Sequence, residues 1–235
     1  MNRWKAAATH LALSAVVIGG IALTAFLLWY PYALYRVSGL DRILLVMLAI
    51  DLTAGPLLTL IVYRAGKPSL RFDLTVIALC QAAFLAYGLH TLWQGRPVFL
   101  VATPDTYTLV FANEIAPTDL ADAADPAWRS LPWTGPILAG ARMPEAPDQR
   151  REVMETFMAG GAGIERTPRR YLSFDAVIPL LLENAEAVPP SVPDADIART
   201  GRTRDALRRA PLVSRRGEGW MLIDSEQGRP LRAVR

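Results

Sequence analysis

The chain has 235 residues, with 25 Lys and Arg against 22 Asp and Glu, two His, one Cys and 52% hydrophobic residues. That hydrophobicity excludes a disordered chain, and one cysteine excludes an internal disulfide framework. The length suits one soluble domain or a small membrane protein, and the placement of the apolar residues decides between them.

A helix needs about 20 apolar residues to cross roughly 30 Å of hydrocarbon. Three segments meet that length, at 11–30, 43–63 and 74–94; the first has no charge, the second only Asp51, and the third only what His90 carries. Helices buried in a soluble core rarely run so far without a polar face. Arg3 and Lys5 precede the first segment as they would a signal peptide, but its apolar stretch runs on to Trp29-Tyr30 with no small-x-small cleavage site, so an uncleaved anchor is expected. Arg3, Lys5, Arg64, Lys67 and Arg71 fall on one side of the three spans, against Arg36 and Arg42 on the other. The cation-rich side should be cytoplasmic, which gives an N-in, C-out topology. Trp29, Tyr30, Tyr32, Tyr35 and Trp93 would then belt the outer interface, and Trp4 and Tyr63 the inner one.

Residues 1–93 hold 7 Lys or Arg and 3 Asp or Glu, which leaves 18 and 19 of the totals for residues 94–235. The basic excess therefore belongs to topology, and a nucleic-acid partner, which requires a basic surface, is not expected. The expected division is a membrane region at 1–95 and an extracytoplasmic domain at 96–235.

In the tail, residues 98–102 and 106–112 read as a hairpin turning at Pro104-Asp105, with Tyr107, Leu109 and Phe111 alternating against Thr108, Val110 and Ala112. Residues 116–136 read as a loop anchored by Trp128 and Trp133. A helix is expected at 148–158, with Val153, Met154, Phe157 and Met158 on its apolar face and Gly160-Gly161 as its stop. A second is expected from Asp175, as cap, to Ala187, and a short third at 203–209. Residues 212–215, 220–224 and 230–234 complete a meander. The fold class is a membrane protein of three transmembrane α-helices followed by a small α+β domain with an antiparallel sheet.

The tail has no His and no Cys, which removes a Cys/His metal site, a Ser-His-Asp triad and a Cys-His dyad from it. His10 and His90 should sit at opposite membrane faces. No phosphate-loop, dinucleotide or zinc-protease motif occurs, so no metal, cofactor or catalytic residue is assigned and an enzyme is not expected. Asp51 is the residue that needs a reason, because an acid near mid-span costs about 2.5–3.5 kcal/mol and normally faces protein or water. Gln81 and Tyr87 lie within reach of its depth as hydrogen-bond partners for the carboxyl. Polar glue between helices and contact with a partner helix are equally compatible with it; an intramembrane aspartyl protease would need a second acid, which no span supplies. Gly55-Pro56 should kink the second span, and Thr59 is placed to bond a freed carbonyl. Ala15-xxx-Gly19 and Gly20-xxx-Thr24 permit close helix approach, while Cys80 reads as a small packing residue.

The run from Ala49 through Asp51, Gly55-Pro56 and Thr59 to Tyr63, then Lys67, Ser69-Leu70 and Phe72-Asp73-Leu74, resembles the type IV pilin accessory proteins called the TfpX/TfpZ family. Trp29-Tyr30-Pro31, Gln81, Tyr87-Gly88, Gly95-Arg96-Pro97-Val98, Trp133-Thr134-Gly135-Pro136, Arg169-Arg170-Tyr171 and Met221-Leu222-Ile223-Asp224 extend the likeness, which is sparse at 114–130 and 185–211. The resemblance implies an inner-membrane accessory factor, a chaperone or assembly modulator that acts without catalysis on a cognate type IV pilin. The expected partners are the pilin's transmembrane helix and globular head, membrane lipid and the pilus assembly platform, with the tail periplasmic. Two alternatives stand beside it, a membrane enzyme that modifies pilin covalently and an extracytoplasmic sensor. Asp51, Gly55, Pro56, Thr59, Gln81, Tyr87 and Arg96 are the candidates for structure or partner contact.

Overall fold

The computed structural model describes residues 2–235. Three helical stretches long and apolar enough to cross a membrane open the chain: Arg3–Trp29, Leu40–Val62 and Leu70–Gln94. The first and third are continuous helices, α1 (Arg3–Trp29) and α5 (Leu70–Gln94), with the short α2 (Tyr35–Ser38) after α1. The middle stretch is composite, passing from α3 (Leu40–Ala49) through a π-helical turn at Ile50–Ala54 into α4 (Gly55–Val62). Leu13, Val16, Leu45, Ile61 and Leu79 are among the large apolar side chains exposed on these helices. Water-soluble proteins rarely leave so much contiguous apolar surface bare, whereas lipid covers it at no cost.

By contact the chain forms two units, Met1–Leu27 with Leu40–Gln94, and Leu28–Gly39 with Gly95–Arg235. The connection between the first two apolar helices is thus folded into the second unit, an arrangement that a division at residue 95 leaves out. Tyr30, expected in an aromatic belt, is buried there.

The second unit is built on a curled sheet of β1 (Pro97–Ala102), β2 (Tyr107–Phe111), β3 (Ile137–Gly140), β4 (Glu186–Ala187), β5 (Leu207–Ser214), β6 (Gly217–Asp224) and β7 (Pro230–Val234). The strand order is β3-β1-β2-β5-β6-β7, with β4 on β5. Four pairings are antiparallel, as expected, but β1 with β3 and β2 with β5 run parallel. Parallel neighbours need a long crossover, and the chain between β2 and β5 supplies it with α6 (Pro117–Ala121), α7 (Pro147–Met158), α8 (Ile178–Asn184) and α9 (Asp194–Ala198). The β1–β2 hairpin closes with Thr103 N donating to Thr106 O at 2.8 Å and Thr103 Oγ1 to Asp105 Oδ1 at 2.9 Å. Every residue of β2 is buried, so its alternating sequence does not mark a wet face. The strand lies inside the sheet with both faces covered. Phe99 and Trp128 meet Tyr171 edge-on at 5.2 and 5.8 Å, the aromatic centre of one apolar cluster.

Several helix expectations need correction. In α7 Val153 is buried while Met154, Phe157 and Met158 are exposed. Glu152, beside the buried Val153, pairs with Arg170 at 2.9 Å, and the rest of the apolar stripe stays uncovered. The helix expected from Asp175 begins at Ile178 without a side-chain cap, and Glu186-Ala187 are already strand. Residues 204–206 make only a 3₁₀ turn before β5, while α9 and β3 occupy stretches that carried no assignment. Trp128 is buried, but the Trp133 ring is exposed. Trp133 anchors through its backbone, because its carbonyl accepts Trp29 Nε1–H at 2.8 Å and Gly135 N donates to Leu28 O at 2.6 Å. A Cβ on Gly135 would stand 3.0 Å from that Leu28 oxygen, which explains a glycine in this loop.

Candidate functional site

The candidates divide between the units. In the helical unit, α4 brings Thr59, α5 brings Gln81, and α1 brings His10, which sequence reading had set aside. His10 Nδ1 lies 2.6 Å from Thr59 Oγ1, and His10 Nε2–H donates to Gln81 Oε1. Gln81 Nε2 then donates, at a long 3.4 Å, to the backbone carbonyl of Asp51. The sequence expectation had Gln81 bonding the Asp51 carboxyl and Thr59 bonding a freed carbonyl; Gln81 takes the carbonyl, and Thr59 takes the imidazole instead.

Proline chemistry explains the carbonyl. In a π-helical register the Asp51 oxygen would accept from the N–H five residues on, which is position 56, and Pro56 has none. The Gln81 carboxamide supplies the missing donor from α5. Gly55 makes room for it, since a Cβ at Gly55 would fall on the carboxamide itself. Asp51, Gly55, Pro56, Thr59 and Gln81 therefore form one polar knot with His10, and the kink expected at Gly55-Pro56 takes the form of a π-turn before the proline.

Asp51 is 6% exposed as a residue, and its carboxyl accepts no hydrogen bond among the described residues. It borders two cavities, of about 340 and 250 Å³. The larger runs between α3 and α5 past Val46, Phe84, Tyr87 and Gly88, where a Cβ on Gly88 would come within 2.9 Å of Met47 Cε. Tyr87 thus shares the groove with Asp51 but is itself 73% exposed. Gly19 and Gly20 of α1 face open space, and Cys80 is exposed rather than packed.

Arg96 belongs to the other unit. It is 3% exposed, its Nε donates to Pro132 O at 3.1 Å, and burial pulls the guanidinium below its ordinary value. The second unit has a charged node that the sequence did not reveal. Asp196 of α9 receives both guanidinium nitrogens of Arg36 at 3.0 and 3.1 Å and Arg232 Nε at 2.8 Å. Arg216 Nη1 donates to Ser38 O at 3.4 Å and Gly95 O at 3.2 Å while its guanidinium stacks 4.2 Å from the Phe111 ring. Arg36 and Arg216, with Ser214 Oγ donating to Val37 O at 2.6 Å, fasten the segment Leu28–Gly39 to the domain.

The Arg36 guanidinium, and then Arg232, hold the Asp196 carboxyl below the usual carboxylate range, and the backbone N–H groups of Gln227 and Glu226 do the same for Asp224. A depressed folded value gives stability that is complete above the unfolded value of about 3.9 and is lost as pH falls through the folded value. The melting temperature of the second unit should therefore be level from neutrality to about pH 5 and drop below about pH 4. Thermal melts in detergent at stepped pH check this, and Asp224→Asn should narrow its gap to wild type as the pH is lowered to 3.

The family described as fimbrial assembly protein FimB matches residues 1–39. Relatives among fimbrial assembly proteins of Dichelobacter nodosus extend much further. The serogroup E1 protein is 26% identical over 231 residues, and the serogroup I protein 25% identical over 231; each comparison covers 93% of this chain and 89% of the relative. The protein of serogroups C1 and C2 is 27% identical over 121 residues, which covers 51% of this chain and 92% of that protein. No solved structure matches.

Proposed function

We propose that this chain is an inner-membrane assembly factor of the TfpX/TfpZ kind, which supports fimbrial assembly by holding a cognate type IV pilin ready for incorporation. The observation that carries the reading is similarity to fimbrial assembly proteins that runs through both the apolar helices and the C-terminal domain. The cation-rich flanks support an N-terminus in the cytoplasm and a second unit in the periplasm. The three helices would meet the pilin's apolar helix and the second unit its globular head, with lipid around the helices and the assembly platform as a further contact. We take the role as non-catalytic, and this is supported by acids of the second unit such as Asp196, Glu152 and Glu186 being paired with arginine.

Deleting the gene in its native host should remove most surface fimbriae while the pilin that remains keeps its normal mass, and the intact gene returned in trans should restore them. Electron microscopy and intact-mass measurement of pilin read the two results. Undiminished fimbriae would sink the assembly role, and a pilin mass that depends on this protein would replace it with covalent modification.

A further inference from the structure

We infer that the groove between α3 and α5 binds a transmembrane helix from a partner protein, and that this helix places one hydrogen-bond donor against the Asp51 carboxyl. The inference rests on the proposed assembly role only for the helix's origin. Its physical basis is the unpartnered acid. The polar groups that reach toward it are turned elsewhere: Gln81 spends its oxygen on His10 and its nitrogen on the Asp51 carbonyl, His10 uses its second nitrogen on Thr59, and the Ser14 and Tyr87 hydroxyls, which border the same cavities, make no bond to the carboxyl. Thr91 Oγ1, on the groove wall, donates to Tyr87 O at 2.9 Å. Arg42 borders the same groove but sits nine residues before Asp51, about 13 Å along a helix, and makes no ion pair with it. Asp51, a largely buried residue in the chain's middle apolar stretch, thus opens a carboxyl without a donor among the described residues onto an apolar cavity of about 340 Å³.

An acid at such a place is costly unless a donor reaches it. An acyl chain fills apolar volume and donates nothing, so lipid alone leaves the carboxyl unsatisfied. A helix can do both. Ile43, Val46, Met47 and Ile50 recur at helical spacing along one wall, as a helix seam requires, while Gly88 of α5 lets the Met47 side chain pack against the opposite wall. The occupant is therefore an apolar helix with a hydroxyl, amide or amine side chain at the depth of Asp51. The π-turn and its Gln81 prop present that carboxyl to the groove.

The test is photocrosslinking in native membranes from the full-length protein carrying benzoylphenylalanine at Val46 or Phe84, with adducts mapped by mass spectrometry. The expected adduct is a partner transmembrane segment with a donor residue within one turn of the contact. Its yield should fall about tenfold in Asp51→Leu and be largely kept in Asp51→Asn, which still offers an acceptor oxygen. Equal accumulation and equal melting of the three proteins remove misfolding as the cause. Lipid adducts alone, adducts only with a second copy of this chain, or a yield indifferent to Asp51→Leu would overturn the inference. A donor-bearing helix from a protein unrelated to fimbriae would keep the inference and count against the assembly role. A pilin that crosslinks to the second unit but never to the groove would do the reverse.

Discussion

Replacing Asp196 by alanine should destabilise the second unit by about 3 kcal/mol, a loss of roughly 6–10 °C in melting temperature for a domain of this size. Asp196 is 6% exposed and is shared by Arg36 and Arg232, whose side chains are 23% and 15% exposed. Removing the acid leaves two largely desolvated cations facing each other without an anion, and that uncompensated charge, more than the lost attraction, sets the size of the effect. Partial exposure of Arg36 lets water enter and keeps the value at the low end. Arg199 supplies the internal comparison. It stands 3.7 Å from the same carboxylate with its side chain 61% exposed, so Arg199→Ala should change stability by less than about 0.5 kcal/mol. Combining Arg36→Ala with Asp196→Ala should cost less than the sum of the two, because the second change removes the charge that the first strands. Melting of the detergent-solubilised full chain, followed by tryptophan fluorescence, reads all of these. An Asp196→Ala protein that melts with wild type would mean that the node does not hold the segment.

Arg36 also marks where sequence reading stopped. Its charge was legible as a topology signal, but its partner is 160 residues away, and no local pattern announces a pairing at that separation. The three apolar helices were legible because lipid imposes length and composition together, and β7 was found at its expected residues because the turn Ser225-Glu226-Gln227-Gly228 bounds the short run that follows it. Elements set by tertiary contact were not. The apolar stripe of α7 predicts burial, yet within it only Val153 is covered; β3 is a short strand that exists because β1 offers it a parallel edge. In the candidate site, Asp51, Gly55, Pro56 and Gln81 were legible because each breaks a rule of an apolar helix. His10 was missed because it precedes the first apolar run and reads as a flank. Its one signal was a ring with two nitrogens next to a span whose neighbours carry Thr59 and Gln81.

Gly219→Val should be at least as damaging as the loss of Asp196, at about 3–4 kcal/mol, although it removes no interaction. Gly219 lies in β6 opposite Leu212 of β5, and a Cβ there would stand 2.5 Å from the main-chain oxygen of Val234 and 3.2 Å from Val37 Cγ1. Neither obstacle can step aside cheaply. Val234 is held in the β6–β7 ladder opposite Trp220, and Val37 is completely buried in α2. Two residues away, a Cβ on Gly217 would meet Val37 O at 3.2 Å, a tight contact that a shift of a few tenths of an ångström relieves, so Gly217→Ala should cost only about 1 kcal/mol. Glycine here serves proximity rather than backbone freedom, because the turn Tyr35–Ser38 lies directly on the strand where side chains would otherwise stand. Gly19→Ala in α1, where nothing lies within 4 Å of the new methyl, is the matched control and should be neutral or slightly stabilising through helix propensity. If Gly219→Val and Gly19→Ala melt alike, the turn does not rest on β6. A steep loss at 219, a mild one at 217 and none at 19 would map the contact methyl by methyl, and would show that the second unit includes the link between the first two apolar helices.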